Sequence, residues 1–155
     1  MSRAFVKEQD GSDAFEELPE RLISSHPNLV TEQGLARIEE ELARAEQAYA
    51  AAQAAVDRSA LAAAGRDVRY WTQRRASAEL VPPPADKSEV RFGVRVTIVR
   101  DDGRRQSYRI VGEDEADPAQ GTLSYVSPLA RALIGKGLGE TARIGPGEVE
   151  IVAID

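Results

Sequence analysis

The sequence of 155 residues contains no cysteine and a single histidine, His26. The absence of cysteine excludes disulfide bonds, thiolate nucleophiles and cysteine-ligated zinc, and one histidine excludes a metal site built from several imidazoles. No apolar run approaches the roughly 18 residues that a membrane span needs, and the N-terminus lacks the apolar core of a signal peptide. We therefore expect a cytoplasmic protein that has no metal site of its own.

Aromatic residues and positive charge are also scarce. Aromatic residues form 5% of the chain, and acidic residues outnumber basic ones by 26 to 20, which gives a net charge of −6. A protein that coats nucleic acid needs a surplus of lysine and arginine, so this balance disfavours that class but leaves room for a local basic face. The sequence has no glycine-rich phosphate loop and no paired carboxylates away from surface turns. We therefore do not expect an enzyme that acts on its own.

Residues 1–30 are predicted to form an extended or partly disordered arm, because short apolar clusters are interrupted by acidic residues, glycine and proline. In an alternative interpretation the arm docks on a partner or on the body of the protein. Its apolar residues would then make the contact: Phe5, Val6, Leu22 and Ile23.

Residues 31–81 are predicted to form a helical hairpin. Apolar residues recur at spacings of three and four, which is the pattern of a coiled-coil seam. The seam consists of Leu35, Ile38, Leu42, Ala45, Tyr49, Ala52 and Val56. The pattern breaks at residues 57–59 and then resumes, so we expect antiparallel helices over 31–56 and 60–80. Thr31 and Ser59 are the expected N-caps.

Residues 82–92 are predicted to be a linker, stiffened by three consecutive prolines. Residues 93–155 alternate apolar and polar positions and are predicted to form a small antiparallel β domain with one helix. That helix should begin after Ser127 as its N-cap, with Pro128 first and Gly135 at its end. The expected fold class is therefore α+β.

The C-terminal part resembles the GreA/GreB family of transcript cleavage factors. The similarity lies in residues 107–112, 115–117, 127–136 and 145–150. The resemblance implies a helical hairpin followed by an FKBP-like β domain, and it implies binding to bacterial RNA polymerase at the secondary channel. The FKBP resemblance concerns the fold, since too few aromatic residues are present to line a prolyl isomerase pocket.

In the family, an Asp and a Glu three residues later at the hairpin tip help to hold a second Mg²⁺ beside the aspartates of the polymerase. A pair of anionic oxygens suits Mg²⁺, and two metals assist phosphodiester hydrolysis. In this sequence Asp57 matches the family's Asp, but Ala60 occupies the position of the Glu. The next acidic residue is Asp67, about 15 Å further along a helix, which is too far to join Asp57 at one metal ion. The hairpin also lacks roughly 18 residues, which shortens each arm by about 13 Å.

With its shortened hairpin, the chain resembles the Rnk proteins. This resemblance predicts a protein that binds the polymerase but does not stimulate transcript cleavage. The alternative is an active cleavage factor that uses Asp57 alone. We expect no cofactor of its own, with a shared Mg²⁺ in the polymerase if Asp57 is competent. The expected partner is RNA polymerase, with contact to nascent RNA or DNA inside the transcription complex, and the protein is expected to be a monomer with no membrane contact.

The resemblance also predicts which residues meet the partners. The predicted polymerase-binding residues are Asp114, Glu115, Asp117, Ser127, Pro128, Leu129 and Arg131. The second helix is rich in arginine, and its candidates for facing RNA or the channel wall are Arg58, Arg66, Arg69 and Arg74. For both sets a simpler interpretation is that the residues contact no partner. Acidic turns and charged helix faces are usually solvated, and exposed ion pairs stabilise little.

Overall fold

A computed structural model describes residues 18–155, and the predictions for Phe5 and Val6 lie outside this range. The chain divides into two compact units. One unit contains described residues 18–23 and 39–76, and the other contains residues 24–38 and 77–155. Within the described residues, no helix is long and apolar enough to cross a membrane.

The first unit is built on two antiparallel helices. Helix α1 spans Glu32–Ala54 and helix α2 spans Arg58–Ser77. The Arg75 guanidinium lies 3.0 Å from the Glu39 carboxylate, so the end of α2 faces the early part of α1. Nearer the turn, the close approach of the helices places a Tyr49 ring carbon 3.5 Å from where a Cβ on Gly65 would stand. The predicted hairpin is confirmed.

Every second residue of the heptad seam is buried in α1: Ile38, Ala45 and Ala52 are 0%, 7% and 5% exposed. The alternate residues of the seam are more open, and Tyr49 is 37% exposed. Val56 departs from the seam, because α1 ends at Ala54 and Val56 is 82% exposed in the turn with a φ of +53°. A β-branched residue rarely adopts this left-handed conformation. The prediction that the seam continues to Val56 is therefore wrong.

Helix α2 ends at Ser77, three residues before the predicted end. The chain then forms a short strand, β2 (Glu79–Leu80), which pairs in parallel with β1 (Leu29–Val30). The Glu79 N–H donates to the Asn28 carbonyl at 2.9 Å. The ends of the predicted hairpin are therefore joined by a small parallel sheet rather than by further helix.

The second unit contains a five-stranded sheet in the order β5-β4-β3-β7-β6. Its elements are β3 (Arg95–Arg100), β4 (Arg105–Val111), β5 (Thr122–Ser124), α3 (Pro128–Leu133), β6 (Thr141–Ile144) and β7 (Gly147–Ile154). The α+β class is confirmed. The sheet is mixed rather than purely antiparallel, however, because β5 pairs in parallel with β4. The segment between them turns the chain back, so that β5 runs beside the last three residues of β4, with Thr122 opposite Arg109.

The core of this unit lies between the sheet and α3. Its buried residues are Val90, Val94, Val96, Ile98, Ile110, Leu123, Ala130, Leu133, Ala142, Val149 and Ile151. The predicted start of α3 is confirmed, since the Ala130 N–H donates to the Ser127 hydroxyl at 3.3 Å and Pro128 is the first helical residue; the helix ends at Leu133. Gly135 follows with a φ of +87°, which favours glycine.

The end of the predicted linker belongs to this core. Val90 is fully buried, its N–H donates to the Lys136 carbonyl at 2.8 Å, and its carbonyl accepts from the Gly135 N–H at 2.9 Å. The structure therefore differs from the predicted domain start at residue 93. Three consecutive prolines identify the beginning of a linker, but they do not show where the chain rejoins a sheet.

Candidate functional sites

The hairpin tip, residues 57–59, is held by the side chain of Asp57. One carboxylate oxygen, Oδ1, accepts from the Ala60 N–H and from the Ser59 hydroxyl, each at 3.1 Å. Asp57 is therefore the N-cap of α2, a role that we predicted for Ser59. The hydrogen bond from Ala60, followed by that from Ser59, lowers the pKa of Asp57 below its ordinary value. The tip thus presents an ionised carboxylate that already completes a helix end.

The tip supplies one carboxylate where the family pattern has two. Ala60 carries no ligand, and the next acidic side chain along α2, Asp67, forms a salt bridge of 3.2 Å with Arg21. Among residues 18–155 no group of three or more histidine, aspartate or glutamate side chains could hold a metal ion. These residues do not fit a Mg²⁺ site, so any metal chemistry at this tip would depend on ligands from another protein.

The acidic turn after β4 is tied to the first turn of α1 by Glu115. Its carboxylate accepts from the Thr31 hydroxyl at 2.5 Å and from the Thr31 N–H at 3.1 Å, and more weakly from the Gly112 N–H at 3.4 Å. Thr31 in turn caps α1, because its hydroxyl accepts from the Gly34 N–H at 3.0 Å. Glu115 is half-buried and has a structural task within this unit.

Two glycines make room for this contact. A Cβ on Gly34 would lie 1.8 Å from the nearer Glu115 oxygen, and a Cβ on Gly112 would lie 2.3 Å from the Leu29 carbonyl. Contacts this close require glycine unless a neighbour shifts. Gly34 and Gly112 were not among the predicted site residues, although Gly112 falls within a stretch that carries the family resemblance.

The other two acidic candidates lie at the same turn. Asp117 is exposed and caps a short 3-10 helix (Pro118–Gln120), accepting from the Ala119 N–H at 3.2 Å. Asp114 is half-buried and engaged in an interaction of its own. Of the three predicted residues, Asp117 is the most open to a partner.

The junction between β5 and α3 has an exposed side. Pro128 and Arg131 are exposed, whereas Leu129 packs against the core and Ser127 serves as the N-cap. The residues just after α3 add apolar surface that the sequence analysis did not single out. Ile134 is 39% exposed and Leu138 is 67% exposed. We call the four exposed residues, Pro128, Arg131, Ile134 and Leu138, the α3 patch.

The arginine candidates on α2 differ in their surroundings. Arg74 is only 2% exposed, so its predicted contact with RNA or the channel does not hold in this structure. Arg69 binds the Glu20 carboxylate, and Arg66 is half-buried with an Nε atom that has no hydrogen-bond partner among the described residues. Arg58 is exposed at the start of α2 and makes an interaction of its own.

Comparison with known proteins identifies the class. Residues 85–155 match the family model described as "Transcription elongation factor, GreA/GreB, C-term". Residues 85–155 are therefore a domain of the GreA/GreB C-terminal type. The chain is 40% identical to "Transcription elongation factor GreB" of Neisseria meningitidis serogroup B over 96 residues, 58% of this chain and 59% of the relative. It is 57% identical to "Transcription elongation factor GreA" of Hyphomonas neptunium over 58 residues, 37% of each chain.

The match thus spans under two thirds of the length of these relatives. Among solved structures, the "Crystal structure of GreA factor homolog 1 (Gfh1) protein of Thermus thermophilus" aligns with 84% of this chain and 99% of that chain. The sequence identity is 21% and the TM-score is 0.41. The assignment of the C-terminal domain follows from the sequence matches.

Proposed function

We propose that this protein is a GreA/GreB-type regulator that binds bacterial RNA polymerase at the secondary channel and modulates elongation or initiation without stimulating transcript cleavage. The similarity of the C-terminal domain supports a transcriptional role, since both relatives named above are transcription elongation factors. It would then act in the cytoplasm as an accessory protein rather than as an enzyme. The single observation behind the absence of cleavage is the composition of the hairpin tip.

The tip has one carboxylate, and one of its two oxygens already caps a helix. Asp57 accepts two hydrogen bonds that begin α2, and position 60 is alanine. Only Oδ2 can bind a metal while the cap is kept, because bringing Oδ1 to the ion as well would cost those bonds and leave the first turn of α2 uncapped. Two-metal phosphodiester chemistry needs anionic oxygens that are free to bind the ion. The composition of the tip therefore supports a protein that occupies the secondary channel without stimulating RNA cleavage there.

A cleavage assay on backtracked transcription complexes tests this proposal. Wild-type protein should not accelerate RNA cleavage, and at excess it should inhibit cleavage driven by an active Gre factor, because both would compete for one channel. Ala60→Glu should restore little, since it supplies the charge but not the missing length of the arms. Acceleration by the wild-type protein that disappears in Asp57→Asn would overturn the proposal, because asparagine keeps the cap and removes the charge.

That outcome would support the second candidate, an active cleavage factor that uses Asp57 alone. One observation favours it: both hydrogen bonds that form the cap go to Oδ1 of the exposed Asp57, so the second oxygen, Oδ2, is not used in the cap.

The α3 patch is our proposed polymerase-docking surface. Exposed apolar residues beside an exposed arginine form the usual composition of a protein interface, and the patch adjoins the junction that the family resemblance assigns to docking. Leu138→Asp should abolish co-purification with RNA polymerase, because it places an unpaired charge in the contact. The matched control is Leu80→Asp, at another exposed leucine of the same unit, 55% exposed against 67% for Leu138. Equal binding by both variants would refute this surface.

A further inference from the structure

The small parallel sheet of β1 and β2 has an open edge. Strand β2 pairs with β1 on one side, and no other strand of residues 18–155 pairs with it on the other. The N–H groups of Glu79 and Val81 donate to β1, each at 2.9 Å. Successive residues of a strand direct their backbone groups to opposite edges, so the N–H and C=O of Leu80 lie at the open edge. The Leu80 side chain is 55% exposed.

A cavity of about 120 Å³, which we call the β2 notch, lies at the carboxyl end of β2. Leu80, Pro82 and Pro83 contribute an apolar wall, and the first turn of α1 and Arg109 of β4 contribute the rest. All of these residues belong to the second unit. The volume is about that of four waters, which suits one aliphatic side chain and is well below the roughly 300–1,000 Å³ of a pocket for a drug-sized ligand.

Two arginines are neighbours beside the notch. Arg109 lies directly opposite Arg95 in the β3–β4 ladder. Both point away from the core, because the residues next to them in the chain, Val96 and Ile110, are fully buried. The backbone of Arg95 bonds to Asp155 rather than to β4, so the two arginines form the closer, non-hydrogen-bonded kind of antiparallel pair. Like charges at such positions repel each other.

Within the described part of the chain, no ion pair neutralises these two arginines. Arg109 donates to the Gly93 carbonyl at 3.4 Å and to the Gln33 side-chain oxygen at 3.3 Å, and both acceptors are neutral. Glu32 lines the same notch, but it forms no salt bridge with Arg109 or with the exposed Arg95. The pair can therefore bind a further anion, and planar guanidinium groups suit the two oxygens of a carboxylate.

We propose that the β2 notch binds the C-terminal residue of a peptide from another protein. The peptide extends the sheet by one parallel strand, which exchanges backbone hydrogen bonds with Leu80. A parallel strand ends where β2 ends, so its terminal carboxylate meets Arg109 and Arg95 while its last side chain fills the notch. An antiparallel strand would bring a positively charged amino terminus to the same arginines, so the charges favour the parallel direction.

Fluorescence anisotropy on the full chain tests this site with a fluorescein-labelled hexapeptide of alternating threonine and valine that ends in valine. The free-acid peptide should bind at least about tenfold more tightly than the same peptide with a C-terminal amide, because the amide has no charge for the guanidinium groups. Arg109→Gln should remove most of this preference. The matched control is Arg143→Gln, which removes the same charge from an exposed position on β6 of the same unit.

Amide hydrogen exchange measured by NMR locates the bound peptide. Saturating free-acid peptide should slow the exchange of the Leu80 N–H, which lies at the open edge. The Val81 N–H is the internal reference, because it already donates to the Val30 carbonyl and should change little. Both this measurement and the comparison of acid with amide use the wild-type chain, so they do not depend on the folding of a variant.

The site is separate from the α3 patch, and it requires neither polymerase docking nor any activity at the hairpin tip. Leu80→Asp should lose peptide binding and keep co-purification with polymerase, whereas Leu138→Asp should show the reverse. No binding of either peptide at about 1 mM, equal binding of the acid and amide forms, or an unchanged exchange rate at Leu80 would each overturn the proposal. The same holds if Arg143→Gln weakens the acid preference as much as Arg109→Gln does.

Discussion

Replacement of Gly34 by alanine tests how firmly Glu115 is held. Gly34 is buried in the first turn of α1, and a Cβ there would lie 1.8 Å from Glu115 Oε2, which is 1.6 Å short of ordinary contact at 3.4 Å. The carboxylate would have to withdraw from the Thr31 N–H and hydroxyl. Hydrogen bonds to a charged group contribute about 1.5–3 kcal/mol each when well buried, and less at a half-buried site. Alanine recovers up to about 1 kcal/mol through helix propensity.

The net expectation is a loss of about 1–3 kcal/mol of unfolding free energy, or a fall of roughly 2–10 °C in melting temperature. The sign should reverse when Glu115 is absent. In a Glu115→Ala background the clash is gone, so Gly34→Ala should be neutral or stabilising by about 0.5–1 kcal/mol. The difference between the two backgrounds is the coupling energy of the pair.

Urea denaturation followed by circular dichroism measures all four proteins. Ala36→Gly, at an exposed position of the same helix, gives the propensity term alone and should cost about 1 kcal/mol. If Gly34→Ala stabilises the wild-type chain, then Glu115 moves aside at no cost and its structural task at α1 has been misassigned.

Two further perturbations address the hairpin. Ile38→Ala should lower the free energy of unfolding by about 2–5 kcal/mol, because Ile38 is fully buried. Leu42→Ala should lower it by less, because Leu42 is half-buried. Equal losses for the two variants in urea denaturation would contradict the predicted seam. Asp57→Ala should lower the melting temperature, whereas Asp57→Asn should preserve it at neutral pH. The lowered pKa of Asp57 means that its charged form stabilises the fold above the ordinary carboxyl pKa of 3.8, and that this contribution is lost as the pH falls through the lowered value. The wild type should therefore lose stability relative to Asp57→Asn in melts at acid pH, and identical acid profiles would show that the cap is not formed.

The sequence predicted the parts of the fold that depend on local periodicity and capping. Spacings of three and four placed Ile38, Ala45 and Ala52 on the buried side of α1. The Ser-Pro start and the glycine end placed α3 correctly, because capping is decided by the side chains of a few adjacent residues.

The features that the sequence did not predict depend on pairings between distant segments. The parallel pairs β1–β2 and β4–β5 join residues that no local pattern relates, and two- or three-residue strands have no readable alternation. The cap of α2 was assigned to Ser59 because serine suits that position as well as aspartate does. Only geometry shows that Asp57 holds the helix start and that Ser59 donates to it.

The partners of the arginines on α2 could not be predicted from the sequence either. The sequence shows four arginines on one helix, and composition alone cannot distinguish a binding face from a set of ion pairs. In the structure Arg74 is buried, Arg69 is bound by Glu20, and Arg66 is half-buried. A partner therefore meets a helix whose positive charge is largely engaged by the protein itself. The number of arginines on α2 therefore overstates the positive charge that this helix offers to another molecule, because Glu20 already neutralises Arg69.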